Sequence, residues 1–301
     1  MKIAITGSSG LVGTALRGRL DAQGHEVVRI VRREAGPGEV RWDPETGDID
    51  TEGLRGTDAF VNLAGAGIGD ERWSEERKRV LVESRTKSTD LLARTIADLS
   101  PAPSVFLSGS AIGFYGDRGD EELTEDSAPG DGFLSDLCRE WEATTRPAED
   151  AGIRTAHLRT GIVLSAEGGA LSKMLLPFKL GIGGRLGSGQ QWMSWISIDD
   201  HVRAMIHLLT ADVAGPVDLT APAPVRNVEF TKALGRELGR PTLFPIPRIG
   251  PRLLLGKELA QALLYESQRV LPTVLERSGY SFDHPAIDDA LAGVLGPQEL
   301  A

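Results

Sequence analysis

The stretch ITGSSGLVG, residues 5–13, decides how the rest of the chain is read. A short apolar, β-rich segment, Lys2–Thr6, runs into it. A segment with helical spacing of apolar residues (Leu11, Val12, Ala15, Leu16, Leu20) runs out of it and ends near Gln23 and Gly24. Three glycines spaced by three stand between them. A strand-to-helix turn of this kind asks for Gly7 at the turn itself, Gly10 where backbone amides approach an anion, and Gly13 where helix packs closely on strand. The first turn of the helix then aims free N–H groups at a pyrophosphate. Any tight βα turn uses glycine too, but the flanking strand and helix are the context a dinucleotide fingerprint requires.

Working outward, strand-like segments at 26–32, 40–43, 58–65, 104–111 and 154–165 alternate with helix-like segments, notably 74–99 and 133–151. This β-α repetition predicts an α/β fold, a Rossmann doubly wound parallel sheet covered by helices on both faces. After Ser165 the texture changes to glycine clusters around a short apolar helix. A helix at 199–210 and a strand at 215–221 return to the sheet, and a Pro- and Leu-rich stretch follows. The expected division is a Rossmann domain at 1–165 and 198–221, with a smaller C-terminal α/β lobe at 166–197 and 222–301.

The chain has 33 Lys and Arg against 43 Asp and Glu, a net charge of −10. That disfavours a broad nucleic-acid surface while permitting a local cationic pocket. Cys138 is the single cysteine, so neither an internal disulfide nor a Cys/His metal site is expected. The opening MKIAIT has no leader-like pattern, and no apolar run is long enough to span a bilayer. The expectation is a cytoplasmic protein with a small-molecule substrate, no nucleic-acid or membrane partner, and a monomeric or homodimeric state.

The end of the second strand selects the cofactor. A carboxylate about 20 residues past the glycines holds the ribose 2′-hydroxyl in NAD binders; here Arg32 and Arg33 stand instead. A charge-assisted bond to phosphate contributes about 1.5–3 kcal/mol, a roughly tenfold to hundredfold preference for NADP(H). Arg32 is the better placed because it closes the strand. A solvated basic loop, partly neutralised by Glu34, is the alternative.

TGSSGLVG, NLAG at 62–65 and LSGSAIGFYG at 107–116 resemble the extended, epimerase-like short-chain dehydrogenase/reductases. RWDP, NLAGAGI, ESRTKST, FLSDLCREWE, LRTGIVLS, LLPFKLGIGGRLGSGQQWMSWI and QRVLP narrow this to an atypical branch, the epimerase family or sugar-nucleotide epimerase-like proteins. The resemblance covers essentially the whole chain. It implies a Rossmann domain that binds NADP(H), capped by a small C-terminal domain over a substrate cleft. Gly7, Ser9, Gly10, Leu11, Val12 and Gly13 fall on the phosphate loop, and Arg32, with Arg33 beside it, on the 2′-phosphate position. Leu63, Ala64 and Gly65 fall on the loop beside the ribose and nicotinamide, and Arg85 on a helix position near the cofactor. Val163 lies in a strand that approaches the cofactor or belongs to the core. Trp42 either touches adenine or packs before the Asp43-Pro44 turn.

The resemblance also implies a catalytic Ser, Tyr and Lys, in which Tyr exchanges a proton with the substrate while hydride moves to or from the cofactor. Ser110 matches the serine, but Phe133 takes the tyrosine place and Leu137 the lysine place. Tyr115 is the candidate surrogate, with packing as its alternative. Asp199, Asp200 and His201 look like a helix cap rather than a triad, and there is no G-x-S-x-G nucleophile elbow. GIGGRLGSGQQW (181–192) reads as a lid or a structural loop. In the first case Arg185 engages an anionic substrate, and Trp192, with Gln191 and Trp195, shapes the pocket. Two functions follow: an NADP(H)-dependent epimerase-like oxidoreductase acting on an unidentified small molecule, sugar nucleotides among the candidates, or a non-catalytic NADP(H)-binding sensor or scaffold.

Overall fold

Strand β1 (Lys2–Thr6) is apolar on both faces, with Ile3, Ala4 and Ile5 fully buried, as befits the central strand of a sheet covered on both sides. The computed structural model describes residues 1–296. From β1 the glycine turn leads into α1 (Leu11–Ala22), and the chain builds outward through β2 (Glu26–Val31), β3 (Glu39–Asp43) and the short β4 (Asp48–Ile49). It then crosses to the other side of β1 with β5 (Ala59–Asn62), α2 (Glu75–Asp98) and β6 (Val105–Ala111). A 3-10 turn at Ile112–Tyr115 and β7 (Glu122–Leu123) precede α3 (Phe133–Ala143), α4 (Arg146–Asp150), β8 (Arg154–Thr160) and β9 (Ile162–Leu164).

The second half supplies α5 (Gly169–Lys179), β10 (Trp192–Met193), β11 (Trp195–Ser197), α6 (Ile198–Thr210) and β12 (Gly215–Leu219). After these come β13 (Val225–Arg226), α7 (Asn227–Glu237), α8 (Ile249–Leu255), α9 (Lys257–Leu264), β14 (Arg269–Val270), α10 (Thr273–Arg277) and α11 (Ile287–Leu295). The main sheet has the order β12-β8-β6-β5-β1-β2-β3-β4. Every pairing in it is parallel except β3 with β4. The order in which strands are added therefore reverses between β1 and β5, and it is at the carboxyl ends of strands at such a switch point that doubly wound sheets bind ligands.

Ile3, Ile5, Val61, Leu107 and Leu158 pack against α1 and α6 on one face of the sheet. Ala4, Phe60 and Phe106 pack against Leu92 and Ile96 of α2 on the other, and Trp42 is buried in that second core. Phe178, Trp195, Phe230 and Leu291 meet in a separate core. Residues 273–282 do not stay there: Leu275 and Tyr280 join the core of the main sheet.

Three local differences from the sequence expectation have plain causes. The helix expected at 133–151 divides into α3 and α4 around Thr144 and Thr145, with Pro147 in the first turn of α4, where its missing N–H does least harm. The strand expected at 154–165 breaks at Gly161, where a Cβ would lie 2.7 Å from the Ser194 carbonyl oxygen. Beyond it, β9 leaves the main sheet to pair with β11. The edge strand β4 is too short to show a periodicity.

Candidate active site

The three glycines of the first turn do different things. Gly7 has φ +64°, and a Cβ there would lie 2.5 Å from the Leu63 carbonyl oxygen. A Cβ on Gly13 would lie 2.3 Å from the Gly7 carbonyl oxygen, so strand, turn and helix pack without room for a methyl. At Gly10 the only neighbour of such a Cβ is the Gly7 oxygen at 3.3 Å, and its outer side is open. Gly10 is also the N-cap of α1. No side chain caps that helix and no acidic residue stands in its first turn. An uncapped helix start behind a bare backbone turn fits a diphosphate in charge and in space.

The turn is held from below by a buried network. Thr6 Oγ1 donates to Asn62 Oδ1 at 2.6 Å and accepts from the amides of Leu63 and Ala64. Asn62 and Trp141 both donate to Thr89 Oγ1, at 2.8 and 2.9 Å. The ends of β1 and β5 are thereby fixed to α2 and α3. Gly7, Leu63 and Ala64 meet here, Gly65 lies against Arg85, and Leu11 lies against Gly168 and Gly169, the latter close to the Val163 carbonyl. Ser9 is exposed and Val12 is half-buried.

The two arginines at the end of β2 separate. Arg33 is committed to Glu39 through two short bonds, which hold the Glu39 carboxyl down at about 2. Arg32 is exposed and has no ion pair or side-chain hydrogen bond among the described residues. Arg29, a residue the sequence reading passed over, bonds Glu39 at 3.0 Å and reaches Ser8 Oγ of the turn at 3.4 Å. Its signal was a charge inside an apolar strand.

On α2, Arg85 is buried with no carboxylate partner among the described residues. Its two terminal nitrogens donate to the Leu81 and Ala66 carbonyls, while Nε has no partner. Burial, and then Arg77 nearby, pull its pKa down to about 10. It is a fixed positive charge behind the loop that follows β5.

Strand register places Ser110, Arg159 and Asp218 side by side on β6, β8 and β12, and residues so paired share one face. Ser110 Oγ donates to Glu142 Oε1 at 2.6 Å, and Glu142 takes both Nε and Nη2 of Arg159 at 2.8 and 2.9 Å. Arg159 Nη1 donates to the Tyr115 hydroxyl at 3.0 Å, and that hydroxyl donates to Asp218 at 2.9 Å. Burial and the nearby Glu125 hold the Asp218 carboxyl well above the ordinary carboxylate range. Burial, then Asp218, raise Tyr115 too, and Tyr115 has no solvent exposure. The geometry gives Tyr115 a packing role rather than that of a proton donor, and Ser110 already gives its hydrogen to Glu142. Cys138 is buried, and burial followed by Glu142 pushes its thiol up to about 12. Ser197 caps α6 as the sequence pattern implied. His201 is buried, with burial lowering it to about 4.

A cavity of about 450 Å³ opens where the N-terminal turn of α3 faces the C-terminal lobe. Gly113, Phe133 and Leu134 line one side, and Glu258, Gln261 and Glu266 the other. Phe133 is packed edge-on to Trp73 at 4.9 Å, and Leu137 is buried among Leu81, Cys138 and Trp141. Arg185 and Trp192 lie elsewhere. Arg185 bonds the Ser188 carbonyl, and Trp192 sits between the guanidinium groups of Arg226 and Arg269 with its Nε1 on Asp120. Among the described residues no group of His, Cys, Asp and Glu is arranged to hold a metal ion, and no helix is long and apolar enough to cross a membrane.

Residues 3–219 match the NAD dependent epimerase/dehydratase family, and residues 246–294 match a domain of unknown function, DUF1731. An epimerase family protein of Mycobacterium bovis, Mb2239, is 45% identical over 96% of each chain. The human epimerase family protein SDR39U1, solved with NADPH, superposes with a TM-score of 0.91 at 36% identity, covering 98% of this chain and 99% of that one. A nucleoside-diphosphate sugar epimerase from Corynebacterium glutamicum is 40% identical with a TM-score of 0.80; it covers 98% of this chain, which spans 58% of that one.

Proposed function

The chain belongs to the NAD dependent epimerase/dehydratase family, and from that premise we propose that it is an NADP(H)-binding, epimerase-like oxidoreductase acting on a small molecule. The observation that carries the cofactor choice is Arg32. Among the described residues it stands unpaired where an NAD binder presents a carboxylate, beside a glycine turn with an uncapped helix start. Gly7, Gly10, Leu11 and Val12 hold the diphosphate through backbone amides, with Ser9 exposed beside them and Gly13 fixing the helix. Arg32 reads the 2′-phosphate. Leu63, Ala64, Gly65 and Val163 flank the rest, and Arg85 lends positive charge from behind. The human relative solved with NADPH supports this reading.

Bound NADP(H) supplies or receives the hydride. The chain's part is to orient the substrate, exclude water and move the proton. Ser110 takes part as an acceptor for a substrate hydroxyl, since its own hydrogen is held by Glu142. Sugar nucleotides are the first substrate class to assay, given the printed name of the Corynebacterium relative.

Calorimetric titration tests the cofactor. NADPH should bind at least about tenfold more tightly than NADH, and Arg32→Glu should remove that margin with little effect on NADH. Equal losses for both dinucleotides would take the 2′-phosphate role from Arg32. The non-catalytic sensor reading draws on Phe133 and Leu137, which cannot move a proton. It gains the upper hand if NADP+ and NADPH differ in their effect on lobe closure or partner binding while no substrate is turned over.

A further inference from the structure

With Phe133 and Leu137 on α3, the wall that carries the proton-transfer pair in the resembling enzymes is apolar here. The cavity in front of it nevertheless carries charged groups. Four ionisable residues line it: Asp131 before α3, Lys257 and Glu258 on α9, and Glu266 just beyond α9. Asp131 is exposed. Glu258 is paired with Lys78 of α2 at 2.7 Å, so its carboxyl is already engaged. Lys257 is on the rim of the same helix turn. Glu266 alone is half-buried with no hydrogen bond or ion pair to its carboxyl among the described residues. Burial, and then Asp117 on the loop after the 3-10 turn, raise that carboxyl to about 7. Asp117 is itself occupied, accepting from the Ser267 amide at 3.1 Å. A general acid works best with its pKa near the working pH and its proton unclaimed by a neighbour.

We propose that Glu266 is the catalytic acid and base of this reaction, facing the substrate from the C-terminal lobe across the cavity from Phe133. The proposal rests on the oxidoreductase reading above, and it gives the segment matched to DUF1731 a chemical task. In the reducing direction the substrate carbonyl carbon takes a hydride from NADPH while the oxygen takes the proton of the Glu266 carboxyl. The C=O π bond breaks as C–H and O–H bonds form. Glu266 is left as a carboxylate and regains its proton from water. In the oxidising direction the carboxylate takes the proton of the substrate hydroxyl.

The test uses the full chain loaded with NADPH and 4-nitrobenzaldehyde as carbonyl probe, followed by loss of nicotinamide absorbance across pH. The wild type should show kcat/KM falling above a midpoint near 7. Glu266→Gln should lower kcat by about 10²- to 10⁴-fold without that limb while binding NADPH as before. Glu266→Asp should recover part of the rate and restore a titrating limb. Side-chain carboxyl NMR of the NADPH-bound protein gives an independent readout, a Glu266 midpoint near 7 that disappears in the Gln variant. Turnover in Glu266→Gln within about threefold of wild type, or an ordinary carboxylate midpoint for Glu266, overturns this proposal alone. A wild type that binds NADPH and reduces no carbonyl at any pH overturns the oxidoreductase reading and this proposal with it.

Discussion

Tyr115→Phe removes one oxygen atom, and the structure says what that atom does. It donates to Asp218 at 2.9 Å and accepts from Arg159 Nη1 at 3.0 Å, and both partners are buried, at 0% and 4% exposure. The Asp218 carboxyl has no other hydrogen bond among the described residues, whereas Arg159 keeps its two bonds to Glu142 and a longer one from Nη1 to the Glu125 carbonyl at 3.5 Å. An unsatisfied buried polar group costs about 1–3 kcal/mol. Asp218 falls at the upper end of that range and the single Nη1 donor at the lower, so the variant should lose about 3–4 kcal/mol. For a chain of this size each kcal/mol moves Tm by about 2 °C, which gives a fall of roughly 6–8 °C in a thermal melt. Turnover per folded molecule, measured well below the transition, should change by less than about threefold, against the 10²- to 10⁴-fold loss expected of a general acid. Two results would refute the reasoning. An unchanged Tm would mean that the hydroxyl is not tying strands together, and a collapse of turnover in a normally stable variant would restore Tyr115 as the proton donor.

Gly13→Ala should be strongly destabilising, by roughly 2–4 kcal/mol, because its Cβ has no room beside the Gly7 oxygen. Gly10→Ala should cost under about 1 kcal/mol and instead weaken NADPH binding; indistinguishable melts for the two variants would contradict this division. Asp218→Asn tests the raised carboxyl. A folded-state pKa above the unfolded one gives stability that is present below the unfolded value and lost as pH rises through the folded one. Asn does not titrate, so urea melts should move steadily in the variant's favour as pH rises above the ordinary carboxylate range, and a pH-independent difference would count against a protonated Asp218. Ser110→Ala leaves the Glu142–Arg159 pair in place and should cost about 1 kcal/mol. An unchanged kcat in that variant would remove Ser110 from the reacting groups.

The glycine turn was legible because its demands are local: a positive φ at Gly7 and a missing methyl at Gly13 are set by residues within the turn and the strand beside it. The alternation of strands and helices was legible for the same reason, each element burying a periodic face. Phe133 and Leu137 were singled out by the family resemblance alone, which implies a tyrosine and a lysine at the start of the helix after Ser110. The row Ser110–Arg159–Asp218 could not be read, because it exists only through the register of three strands far apart in sequence. Its one trace was Asp218, a charge set in the otherwise apolar strand β12. Trp42 packs in the core, a choice that depends on how β3 sits on the sheet. Glu266 carried no pattern of its own, since its surroundings arise only when the C-terminal lobe meets α3.

The excursion of residues 273–284 back to the main sheet has a consequence for how this polypeptide can be cut or recombined. Asp200, wholly buried, takes hydrogen bonds from Tyr280, Asp283 and His284, and Leu275 fills the core beneath. Severing the chain ahead of α8 would therefore do more than discard a cap: it would strip a carboxylate of three donors and open the interior of the nucleotide-binding half to water. Grafting the tail onto another Rossmann scaffold would fail without a counterpart to Asp200.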